Sequence, residues 1–68
     1  MTLEIQFDQS VKHDKADQIA QALTDCYGKR FDVMPSIAGP QIWCPLSEPW
    51  EPIWLMMACD KIKAIKNT

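Results

Sequence analysis

The sequence predicts an α+β fold: a small two-layer single domain spanning residues 1–68, with a short sheet and helices against one of its faces. Three observations lead there. The N-terminus alternates apolar and polar residues, a long amphipathic stretch follows and ends at a glycine, and the middle of the chain holds short β-prone runs bounded by prolines. Sixty-eight residues leave room for one core. Ordering them costs on the order of 100 kcal/mol of conformational entropy, so nearly every large apolar side chain is needed inside.

In the first element Leu3, Ile5 and Phe7 alternate with Glu4, Gln6 and Asp8, the period of a strand with one wet face. Next, Ala16, Ile19, Ala20, Leu23, Cys26 and Tyr27 fall on one helical stripe, opposite Lys15, Asp17, Gln18, Gln21 and Asp25. We expect Asp14 to cap this helix, Asp17 to favour its N-terminal dipole and Gly28 to end it in a left-handed conformation. Arg30 to Met34 reads as a short strand with Phe31 and Val33 inward, stopped by Pro35. Ser36 to Pro40 is rich in turn formers and leads to a second short strand, Gln41 to Cys44. Pro35, Pro40 and Pro45 bracket these pieces, which suits short or peripheral strands.

The last third admits two readings. Pro52 suits a first helical position, Glu48 and Glu51 precede it, and Lys61, Lys63 and Lys66 lie where a C-terminal dipole favours them. A helix over Pro52 to Lys66 places Trp54, Ala58, Ile62 and Ile65 on one face, with Leu55 and Met57 at its margins. The alternative is a buried strand over the apolar run Ile53 to Cys59. Length decides for the helix, giving the order β-α-β-β-α; the strand would give β-α-β-β-β.

Charge narrows the functional classes. Residues 1–60 hold all nine carboxylates and four of the seven basic side chains, and Lys61, Lys63 and Lys66 complete the total. An acidic body repels a phosphate backbone, so nucleic acid is an unfavoured partner. Were it bound, Lys29, Arg30, Lys61, Lys63 and Lys66 are the residues for phosphate, with Trp43 or Phe31 stacking on a base. The N-terminus has no basic region followed by an apolar run, and no apolar run is long enough to span a bilayer, so we expect no signal peptide, no membrane partner and a cytoplasmic location.

Chemistry-bearing motifs are sparse. Cys26, Cys44 and Cys59 are odd in number and widely spaced, as for separate thiols in a reducing compartment. Together with His13 they lack the close ligand pair of a zinc site, so we assign no metal and no cofactor. A cysteine-dependent catalytic or redox domain remains an alternative, without a base placed beside any thiol. Asp14 with Asp17 and Glu48 with Glu51 read as charges at helix starts, and no catalytic residue is assigned.

What remains is apolar excess. Ile53, Leu55 and Met56 cannot share the Trp54 face, and a proline-stiffened loop presents Trp50 between Glu48 and Glu51. We therefore expect a non-enzymatic protein-interaction module, an adaptor, inhibitor or regulatory subunit, that binds itself or another protein. Trp50, Ile53, Leu55, Met56 and Trp43 are its expected contact residues, with Trp54 serving the core.

Overall fold

The computed structural model describes all 68 residues. In chain order it forms β1 (Thr2–Phe7), α1 (His13–Tyr27), β2 (Asp32–Met34), β3 (Gln41–Pro45), α2 (Ile53–Ala58) and β4 (Ile62–Asn67). The four strands make one sheet in the order β2-β3-β1-β4, with every neighbouring pair antiparallel. Each β-α-β unit therefore has another strand between its two strands, which is the split, ferredoxin-like connectivity. The fold class is the α+β, two-layer domain that the sequence predicts.

β1 shows why the sheet forms where it does. Leu3, Ile5 and Phe7 are fully buried, while Thr2, Glu4 and Gln6 point to the opposite, partly open face. With Ile42 and Cys44 of β3 they form the floor of one core, roofed by Ala20 and Leu23 of α1, Leu55 of α2 and Phe31. Both helices thus cover the same face.

α1 starts two residues earlier than an Asp14 cap would allow. Lys12 occupies the capping position, with no side-chain hydrogen bond, and Asp14 lies inside the first turn. The entry is held instead by Asp8, whose carboxylate accepts from the backbone N–H and hydroxyl of Ser10 and whose carbonyl accepts from the N–H of Val11. A turn-stabilising aspartate ahead of the helix has replaced the cap on it. The other end is as the sequence predicts: Gly28 has φ 66° and donates to the Thr24 carbonyl.

β3 lies inside the sheet and is not peripheral, despite its flanking prolines. Pro40 precedes it and Pro45 is its last residue, so neither removes a donor from the middle of the ladder. The edge beyond it is the three-residue β2. Gly39, at φ 124°, lets the β2–β3 connection pass close over β1; a Cβ there would lie 2.5 Å from the Phe7 carbonyl oxygen.

The C-terminal third is neither one long helix nor a strand over the apolar run. α2 ends at Ala58, where Cys59 turns extended at φ −135° and closes the last turn by donating to Leu55. β4 then completes the order β-α-β-β-α-β. The deciding force is tertiary. β1 is buried along its core face and needs a partner on each edge; β4 supplies the second. The Ile62-to-Ile65 spacing of three, which mimics a helix, fits this strand because a bulge opposite Gln6 and Phe7 absorbs Lys63. Both isoleucines then face the core side.

Candidate functional site

The segment between β3 and α2 is fixed by its ends. Met1 and Leu46 exchange hydrogen bonds at one end. Farther on, the Asn67 side chain grips both backbone groups of Trp50, accepting its N–H at 2.8 Å and donating to its carbonyl at 3.0 Å. Pro52 is fully buried and leads into α2. This anchoring holds a short helix of about 9 Å against the edge of the core.

One turn and a half of helix has little inward surface. Leu55 takes it, at 7% exposure, together with Cys59 one turn later. The remaining apolar side chains face out: Ile53 is 55%, Trp54 49% and Met57 86% exposed, with Met56 at the margin. Tyr27, at the end of α1, continues this surface. Its ring lies 6.4 Å from Trp54 and 5.0 Å, edge-on, from Trp50. Trp50 in turn meets Phe31 at 6.4 Å, so the aromatic group runs from solvent into the core. Beside it a cleft of about 310 Å³ is bounded by Tyr27, Lys29, Leu46, Glu48, Pro49 and Trp50.

The expected contact residues are thus divided. Ile53 and Met56 lie on the exposed patch, and Trp50 is a half-buried wall of it. Leu55 belongs to the core, and Trp54 to the surface, the reverse of the expected pair. The long-helix reading set the inward stripe from Ala58, Ile62 and Ile65; a helix ending at Ala58 sets it from Leu55 and Cys59. Trp43 stands on the other side of the sheet, 38% exposed.

No known family, curated protein or solved structure matches this chain. Its residues alone carry the argument.

Sequence reasoning missed Tyr27, Trp54 and Met57 as members of the patch. Tyr27 fits the core stripe of α1, yet it is the helix's last residue, beyond the last buried position Leu23, and is 37% exposed. The basic residues are not gathered. Arg30 is 2.8 Å from Asp32 and Lys63 3.4 Å from Asp8, both as ion pairs. Lys29 lines the cleft, Lys61 lies in the turn before β4, and Lys66 is on the open sheet face. β3 and β1 separate the Arg30–Asp32 pair from β4.

The remaining chemistry is dispersed as well. Cys44 is buried, and burial raises its thiol pKa; Cys59 is partly covered and Cys26 exposed. His13 lies 3.6 Å from Asp17 on the first turns of α1. No three side chains among His, Cys, Asp and Glu converge with the geometry of a metal site. No helix is long and apolar enough to cross a membrane.

Proposed function

We propose that this chain is a small protein-interaction module, serving as an adaptor, inhibitor or regulatory subunit, and that its partner protein covers α2. One observation carries the reading: Ile53, Trp54 and Met57 all face solvent on a six-residue helix whose entry is anchored by Asn67 and the buried Pro52. Contiguous exposed apolar surface of this kind marks an interface. Its composition also suits one, since tryptophan offers large rigid area and methionine adapts to an uneven surface. Because Asn67 and Pro52 fix the segment, little order remains to be lost on binding. The exposed thiol of Cys26 and the absence of disulfides favour the cytoplasm as its setting.

A nucleic-acid role through Lys29, Arg30, Lys61, Lys63 and Lys66 has less support, because Arg30 and Lys63 each stand beside a carboxylate that repels phosphate and the set spans the full width of the sheet.

The test is site-dependent crosslinking in the native cell. A photoreactive residue at Met57 should give a discrete protein adduct, whether a second copy or another chain, and one at Gln18 on the polar face of α1 should not. Adducts identical from both positions, or none from Met57, would remove α2 as the contact surface.

A further inference from the structure

The face of the sheet turned away from the helices carries an arrangement that the α2 reading leaves unused. Residues paired across antiparallel strands point to the same face. The registers therefore place Asp32, Trp43, Glu4 and Lys66 in one row across β2, β3, β1 and β4. The neighbouring row is Met34, Gln41, Gln6 and Ala64. Within this mostly polar surface Trp43 is the only exposed aromatic ring.

Its orientation is fixed by a relay. Trp43 Nε1 donates to Gln41 Oε1 at 2.8 Å, and Gln41 Nε2 donates to Gln6 Oε1 at 2.6 Å. Gln6 Nε2 ends the chain on the carbonyls of Phe7 and Gly39, at 2.9 and 3.1 Å. The indole N–H is thereby satisfied, which leaves the aromatic face for a ligand. Carboxylates stand one strand to either side, Asp32 on β2 and Glu4 on β1, with directly paired side chains rooted about 5 Å apart.

A ring face between two carboxylates recognises a planar cation and repels phosphate. We infer that the open sheet face is a second docking surface, on which an arginine of a basic protein segment stacks on Trp43 and pairs with Asp32 and Glu4. The chain's own cations do not saturate these acids. Arg30 approaches Asp32 through Nε at 2.8 Å, but its side chain is 79% exposed, and such a surface pair is easily exchanged. A carboxylate also retains acceptor positions beyond one donor. Glu4 accepts from the Thr68 hydroxyl at 2.6 Å, and Lys66 opposite makes no ion pair with it within 4 Å. Guanidinium is preferred over ammonium because its plane matches the ring while its edge presents paired donors.

This inference stands apart from the α2 reading and is tested apart from it. The ¹⁵N-labelled protein is titrated with a capped glycine peptide carrying two arginines, with its citrulline counterpart and with a uridine oligonucleotide. The arginine peptide should move the Trp43 indole and Gln41 amide signals while leaving the Trp54 indole in place. The citrulline peptide should bind at least about fivefold more weakly, and so should the arginine peptide to the Glu4→Gln/Asp32→Asn protein. An unchanged urea midpoint confirms that this variant folds; if it does not fold, Glu4→Gln alone serves. Equal response to arginine and citrulline, shifts at Trp54 in place of Trp43, or a stronger response to the oligonucleotide would each overturn the assignment.

Discussion

At the scale of single residues, neighbours in sequence have opposite roles. Leu55 and Met57 are both large apolar side chains on α2, yet one is 7% and the other 86% exposed. Leu55→Ala should therefore cost about 2–5 kcal/mol, through lost transfer energy and a cavity. Met57→Lys should change stability by no more than about 0.5 kcal/mol and weaken partner binding instead. Urea unfolding of both variants checks the contrast, which fails if Met57→Lys proves as destabilising as Leu55→Ala. Asp8 gives a second residue-scale expectation. The side-chain and backbone hydrogen bonds from Ser10 lower its pKa from 3.8 to about 2, with Lys63 adding to the effect. Between those values the unfolded chain binds the proton more readily, so stability rises with pH there. The contribution is complete above the unfolded pKa and is lost as pH falls through the folded one. Asp8→Asn should flatten the dependence of the urea midpoint on pH between about 4 and 2, relative to the native chain.

At the scale of elements, the side chain of Asn67 links β4 to the segment entering α2. Asn67→Ala leaves the Trp50 N–H and carbonyl without their partners, a loss of about 1–3 kcal/mol. It should also speed amide exchange through Trp50 to Leu55, so exchange measured by NMR separates a released segment from a uniformly weakened fold. The local pattern makes β1, α1 and β3 legible in the sequence, because each has its own period and one buried face, and the three-residue β2 is marked by Val33 and its stop at Pro35. β4 is not legible in that way. Ile62 and Ile65 are three apart, and only the bulge at Lys63, a property of the pairing with β1, turns that spacing into a strand. The error then passes to the site. Once β4 is read as helix, Trp54 joins an inward stripe that the folded chain does not have, while Ile53 and Met56 remain correctly outside. Trp43 reads as a contact residue from sequence, but the face it occupies depends on cross-strand register.

At the scale of the whole molecule, one sheet separates two surfaces of different chemistry: apolar and aromatic at α2, polar with a single oriented ring at Trp43. An adaptor needs two faces that can be occupied together, and this placement gives the adaptor reading more support than an inhibitor with one site. The layer between them must then behave as a unit, and Cys44 reports whether it does. It lies on β3 at 0% exposure within the same core cluster as residues of α1, α2, β1 and β4. Burial also holds its thiol protonated to higher pH, which removes the reactive thiolate. A thiol reagent should therefore modify Cys26 at once and Cys59 more slowly, while Cys44 reacts only as fast as the molecule opens. If the domain unfolds cooperatively, the Cys44 rate should rise with urea in step with the global unfolding equilibrium. A partner bound at α2 should slow Cys44 by stabilising the native state, although it touches no part of β3. Modification of Cys44 at a urea-independent rate would instead show that β3 opens locally, and the two surfaces would then lack a common rigid support.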